Sequence, residues 1–312
     1  MKKMLMIMAT LMLVLLVACS PKEDAKKDDV NKAAAVTIKT TNGDVKVPKN
    51  PEKVIVLDYG VLDTMDALGV GDTVVGMPRE GVPSYLKKYD TDKVANLGGL
   101  KEIDIEKVNE LKPDLIISSG RLAEMNDKLG AIAPTIQLSV DTTDYLNSLT
   151  QNTTELAKVF SKETAAETEL GAINEKVKTF KAKVPTDKTA LIILANEGKA
   201  SAYGSQSRFG LIHDVLGFTP ADKELKVATH GQSVSFEYIS EKNPDYLFVV
   251  DRSAAIGGEA SGKKVVENEL VETTNAYKNK HVVYLNPEVW YLGGGGLESV
   301  NEMIDEVGAV IK

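Results

Sequence analysis

DIEKVNELKPDLIISSGR, residues 104–121, decides the fold because the chain carries its pattern twice: residues 235–252 read SFEYISEKNPDYLFVVDR. Glu106, Glu110, Pro113, Asp114 and Arg121 recur at one constant offset as Glu237, Glu241, Pro244, Asp245 and Arg252. Each copy offers a short amphipathic helix, a stop at proline, an apolar run of strand length and then an arginine. The apolar runs, 115–117 and 246–250, do not alternate with polar residues, as expected of strands buried on both faces of a parallel sheet. Each arginine then stands just past the carboxyl end of a central strand, where open α/β sheets bind their ligands. The pattern predicts an α/β protein of two similar lobes with mostly parallel sheets, each lobe pointing an arginine into one shared cleft.

Outward from this repeat, 312 residues suffice for two cores, and 43% hydrophobic with 26% charged residues is a globular balance. A formal net charge of −8 argues against nucleic acid as a partner, so an anion has to be caught by a few placed cations. At the amino terminus Lys2 and Lys3 precede an apolar run over 4–17. That run is shorter than the about 20 residues that span a bilayer but has the length of a signal-peptide core. It ends Leu16-Val17-Ala18-Cys19, which is similar to a bacterial lipobox. Residues 1–18 are therefore expected to be a signal peptide, and Cys19, the one cysteine of the chain, the lipidated first residue of the mature protein. A single thiol leaves no intramolecular disulfide and no cysteine metal site. The lipid would hold the protein on the extracytoplasmic face of the cell membrane, at the end of a charged tether over 19–35 that lacks apolar periodicity.

Folded structure is expected from residue 36. Segments 36–39 and 45–47 flank Thr41-Asn42-Gly43-Asp44, a type I′ hairpin signal. A strand over 54–57, a helix over 60–68 closed by Gly69, and a strand over 73–75 leading into a loop over 76–80 follow. Residues 145–160 and 163–181 read as long helices, the second placed between the two copies of the repeat. The expected organisation is a first lobe over 36–160, a connecting helix over 161–183 that would limit hinge motion, and a second lobe over 184–312. That lobe opens with a strand over 190–194. Its helix over 209–216 ends Asp214-Val215-Leu216-Gly217, echoing Asp66-Ala67-Leu68-Gly69 of the first lobe. A strand over 282–285 and an amphipathic helix over 297–311 close the chain.

The lipobox together with VIVLDYGVLDTMDALG (54–69), PDLII (113–117), SRFGLIHDVLG (207–217), THGQSVSFEYI (229–239) and PEVWYL (287–292) resembles the siderophore-binding lipoproteins of bacterial ABC iron importers. Among them it is most similar to the catecholate and petrobactin binders of the CeuE and FatB type. The resemblance covers the chain after the tether. It implies a two-lobe binding protein of class III, the helical-backbone metal-receptor type, acting as a monomer without catalysis or intrinsic cofactor. Such a protein holds a ferric siderophore between its lobes and delivers it to the permease subunits of an ABC importer.

Arg121, Arg208 and Arg252 stand after predicted strands or at a helix start, in stretches short of other charge. A planar guanidinium donates two hydrogen bonds at once to a delocalised oxyanion and keeps its charge when partly desolvated. The alternative is a surface arginine in an exchangeable ion pair. All three match arginines of the resembling family. His230, in a polar loop beside Gly231, and Tyr291, after the turn at Pro287, offer an imidazole nitrogen and a hard phenolate oxygen suited to Fe(III). The resemblance implies that they complete the coordination of iron when the siderophore supplies four donor atoms. Otherwise His230 bonds locally and Tyr291 packs at the cleft rim.

Glu106 and Glu237 start equivalent short helices, where the helix dipole alone favours a carboxylate. In the resembling family one acidic residue on each lobe docks onto the permease. His213 reads as a helix residue with a local hydrogen bond and His281 as a surface residue, while residues 293–296 lack the ending of a P-loop and read as a turn. Two other functions stay open. One is a haem receptor with Met77 and His230 as axial ligands. The other is a lipid-anchored enzyme acting on iron complexes, against which the scarcity of clustered acids, bases and nucleophiles counts.

Overall fold

The computed structural model describes residues 34–40, 43–259 and 262–311. The expected signal peptide, Cys19 and nearly all of the tether lie outside the described residues, as do Thr41 and Asn42 of the expected hairpin turn. No helix among the described residues is long and apolar enough to cross a membrane. The strands β1 (Ala35–Thr40) and β2 (Gly43–Pro48) pair antiparallel with Thr40 opposite Gly43. Next come β3 (Val54–Val56), β4 (Val74–Met77), β5 (Ala95–Asn96), β6 (Leu115–Ser118) and β7 (Thr135–Gln137), which form an all-parallel sheet in the order β5, β4, β3, β6, β7. A second sheet contains β8 (Thr189–Asn196), β9 (Lys199–Tyr203), β10 (Thr219–Pro220), β11 (Gln232–Val234), β12 (Tyr246–Asp251) and β13 (Val282–Leu285). Its order is β11, β9, β8, β12, β13, with β10 beside β8. The fold is α/β with two similar lobes, as the repeat predicts.

The two copies of the repeat are superimposable in their chemistry. Asp104 and Ser235 cap the helices Ile105–Glu110 and Phe236–Lys242, their side chains accepting from the amides of Lys107 and Tyr238. Lys112 and Asn243, each just before the proline, take φ of 48° and 42°, the left-handed conformation that ends a helix. The amides of Asp114 and Asp245 then donate to the carbonyls of Lys53 and Thr189, while their carboxylates accept from the amides of those same two residues. Each copy thus fastens its own strand to the start of the neighbouring central strand, β3 or β8. The runs in β6 and β12 are buried along almost their whole length, which is why no polar residue interrupts their cores.

The helices Tyr145–Phe160 and Glu163–Lys181 fall where their periodicity places them, separated by Ser161 at φ 54°. Glu163–Lys181 packs on Tyr145–Phe160 and on the last helix, Leu297–Gly308. One hydrophobic core runs from Ile38 through both sheets to Val307, so a wide hinge opening would have to break close packing.

Several expectations need correction. The second sheet is mixed because β9 turns back on β8 through Glu197 and Gly198, at φ of 51° and 77°. That two-residue turn has the positive dihedrals of type I′ without an Asn-Gly signal to announce it. Gly76 and Met77 belong to β4 rather than to a loop. The expected helix over 209–216 is a π-helical turn, Leu211–Val215, and the last helix stops at Gly308. His213 is buried and its Nδ1 lies 3.0 Å from the Phe218 carbonyl. His281 is half-buried rather than on the surface. Standing just before β13, it places Nδ1 3.1 Å from the Asp245 carbonyl and stacks on the Tyr246 ring at 4.4 Å between centroids.

Candidate ligand-binding site

Three arginines reach one place from three strand ends. Arg121 lies in the turn Gly120–Met125 after β6, Arg252 begins the helix Arg252–Ala255 after β12, and Arg208 lies on the segment that leaves β9. All three meet on Tyr291, in the π-helical turn Glu288–Gly293. The Tyr291 carbonyl accepts from Arg121 Nη2 at 3.2 Å and from Arg208 Nη2, and its phenol oxygen accepts from Arg252 Nε at 2.8 Å. The Arg208 guanidinium also lies over the tyrosine ring, 4.1 Å from its centroid, a cation–π contact.

Tyr291 is delivered to this point by the glycine run that follows it. Gly294 and Gly295 take φ of 46° and 97°, and a Cβ on Gly296 would lie 2.4 Å from the Gly60 carbonyl. That close approach seats the helix Leu297–Gly308 end-on against the first-lobe helix Tyr59–Ala67. The amides of Glu298 and Ser299 donate to the two oxygens of the fully buried Asp63, both at 2.7 Å. A carboxylate at a helix N-terminus satisfies donors that have no partner within the helix.

Behind the arginines stand two residues that the sequence did not single out. Asp58 Oδ2 lies 3.9 Å from Arg121 Nη1, and Asn196 Oδ1 accepts from Arg252 Nη1 at 2.7 Å. Burial pushes the Tyr291 phenol up, but the Arg252 hydrogen bond and the charges of Arg208 and Arg252 outweigh it, and the net shift is downward. Burial first, and then the Arg121 charge, make the Arg208 cation costlier than in water. A guanidinium nonetheless keeps its proton. Burial raises Asp58 against the pull of Arg121. The cluster is positive charge held close together and partly dried, a condition that an arriving anion relieves.

Asp58, Ser119, Arg121, Arg208, Trp290 and Tyr291 border a cavity of about 530 Å³, within the range of small-molecule sites. Ser119 Oγ is buried there with no hydrogen-bond partner among the described residues. Of the five residues expected at the ligand, four come together. His230 does not join them: it is exposed and bonds to none of the four, although Val227, Ala228 and Thr229 just before it border the cavity. Met77 is wholly buried in β4 and cannot serve as an axial haem ligand from the cleft. Glu106 and Glu237 are exposed in the first turns of their equivalent helices. Asp58 had a legible signal as the N-cap of the helix Tyr59–Ala67, whereas Asn196 lay in a turn that no motif marks.

Comparison with known proteins shows the family. The profile of the family described as periplasmic binding protein matches residues 54–289. The chain belongs to the periplasmic binding protein family. It is 49% identical over 307 residues to the petrobactin-binding protein YclQ of Bacillus subtilis (strain 168), covering 97% of this chain and 96% of YclQ. The crystal structure of YclQ superposes with a TM-score of 0.88, covering 89% of this chain and 99% of that one. The ferric-anguibactin-binding protein FatB of Vibrio anguillarum is 30% identical over 306 residues, covering 95% of this chain and 93% of FatB. The structure of the siderophore-binding protein BauB, bound to two molecules of acinetobactin and ferric iron, superposes with a TM-score of 0.81 at 30% identity, covering 89% and 99% of the two chains. These relatives are binding proteins and not enzymes, so the alternative of a lipid-anchored enzyme falls away.

Proposed function

We propose that this chain captures a ferric catecholate-type siderophore of the petrobactin class and presents it to the permease of an ABC importer for iron uptake. The observation that carries the reading is the meeting of Arg121, Arg208 and Arg252 on Tyr291 at the edge of the cavity. A ferric catecholate is an anion with its charge spread over several oxygens, and guanidinium forks match it in sign and in geometry. On arrival the complex takes the hydrogen bonds that the Tyr291 carbonyl now accepts.

For a complex that supplies four donors, Tyr291 and His230 fill the two open positions on iron. The arginines already favour the phenolate, and the His230 loop, with Gly231 at φ 68° beside it, turns inward to follow. Cys19 carries the lipid anchor, residues 19–35 form the tether, and Glu106 and Glu237 dock the two lobes onto two permease subunits. The test uses Trp290, the one tryptophan of the chain, which is 3% exposed and borders the cavity. Its fluorescence should be quenched at low concentration by ferric bis- and tris-catecholates and not by ferric hydroxamates or haem. Preferential quenching by haem or by a neutral hydroxamate complex would overturn the reading.

A further inference from the structure

The two lobes repeat each other, yet the side chains that back their equivalent arginines differ in charge. Arg121 has Asp58 beside it, and Arg252 has Asn196. Both backing residues leave the carboxyl ends of central strands, β3 and β8. Asp58 divides its two oxygens between two tasks. Oδ1 accepts from the amides of Gly60 and Val61 at 2.9 and 3.1 Å, capping the helix Tyr59–Ala67, and Oδ2 faces Arg121. Its side chain is 19% exposed and borders the cavity, so its charge acts on the ligand site with little screening by water. Among the described residues, Arg208 and Arg252 have no carboxylate within ion-pair distance.

We infer that Asp58 and Asn196 set the net charge of the ligand site, and that Asp58 lowers it by one and so reduces the preference of the receptor for ferric complexes of larger negative charge. The inference rests on the reading of the cleft as an anionic-complex site and adds to it a determinant of selectivity. With Asp58 ionised, the form that its two amide donors and the Arg121 charge favour against burial, three arginines and one carboxylate leave two positive charges. A carboxylate in the site repels a ligand in proportion to the ligand's charge, whereas a lost contact would affect ligands of one shape alike. A complex carrying three negative charges is therefore penalised more than one of the same shape carrying two. Asn196, isosteric with aspartate, keeps Arg252 in place without this effect.

The substitutions that test this are conservative at both positions. Asparagine caps a helix as well as aspartate does, so Asp58→Asn removes the charge and keeps the helix, and Asn196→Asp adds a charge beside Arg252. The probes are the Fe(III) and Ti(IV) complexes of one hexadentate tris-catecholamide, which share a shape and carry three and two negative charges. In Trp290 titrations, Asp58→Asn should raise affinity for both and shift the Fe(III) to Ti(IV) affinity ratio by roughly fivefold toward Fe(III), the scale of one added charge interaction through a partly dried site. Asn196→Asp should shift the ratio the other way by a similar factor. The double variant, with the wild-type net charge, should return close to the wild-type ratio. If the wild type binds neither complex, the receptor reading itself fails. If it binds both and the ratio is unmoved in the two single variants, or is not restored in the double variant, the assignment of charge selectivity to Asp58 and Asn196 is wrong.

Discussion

At the scale of single residues, the strand-end positions of Arg121 and Arg252 were legible and the contact of all three arginines with Tyr291 was not. Arg121 and Arg252 could be placed at strand ends because a repeated strand predicts a repeated strand end. That all three guanidinium groups would share Tyr291 depends on a turn and a glycine run more than 160 residues from Arg121 in sequence, and no local pattern encodes such a meeting. Arg121→Ala or Arg252→Ala should each weaken a ferric catecholate by about 2 kcal/mol, roughly thirtyfold, the scale of a charged hydrogen bond lost in a partly desolvated site. Isothermal titration checks this, and wild-type affinity in both variants would remove the arginines from the site. Tyr291→Phe keeps the carbonyl and the ring but loses the oxygen that Arg252 holds. Together with His230→Ala it should weaken a tetradentate bis-catecholate complex far more than a hexadentate one and abolish the shift of its visible band on binding. Equal losses for the two complexes would place both side chains outside the coordination of iron.

Among the elements, several of those with a long period or a repeated motif lie where the sequence places them. The two long helices and the motif from N-cap to proline to strand are examples, because periodicity, capping and left-handed stops all act over a few residues. The hairpin of β8 and β9 escaped because Glu197-Gly198 is an uncommon way to fill a type I′ turn. The buried contact of Asp63 with the helix Leu297–Gly308 escaped because its partners are 235 and 236 residues away. Asp63→Ala should cost about 2 kcal/mol in denaturant unfolding, since it leaves two helix-terminal amides unpaired. Burial pushes the Asp63 carboxyl up to about 7, above its unfolded value of about 3.9. Its contribution to stability is accordingly complete below about pH 4 and lost as pH rises through about 7. Relative to Asp63→Asn, the wild type should lose thermal stability between about pH 4 and about pH 7; a difference that stays constant across that range would show that the carboxyl does not titrate there.

For the whole molecule, two lobes of one design imply equivalent surfaces as well as equivalent strands. Glu106 and Glu237 stand at matching exposed positions, which suits a partner built of two like subunits. Replacing both with alanine should abolish iron uptake by cells while leaving the ligand affinity of the purified protein unchanged, and normal uptake would leave the helix dipole as their only role. The two-lobe α/β fold was legible from one duplicated stretch of 18 residues, whereas the cleft chemistry had to wait for the contacts between lobes that create it. The proposal for this site stands or falls on where the iron sits. A crystal structure of the protein soaked with a ferric bis-catecholate should show the metal in the cavity beside Trp290, with Arg121, Arg208 and Arg252 on catecholate oxygens and the Tyr291 phenolate on iron. Iron bound elsewhere, or arginines still held by Tyr291 with the complex out of their reach, would contradict it.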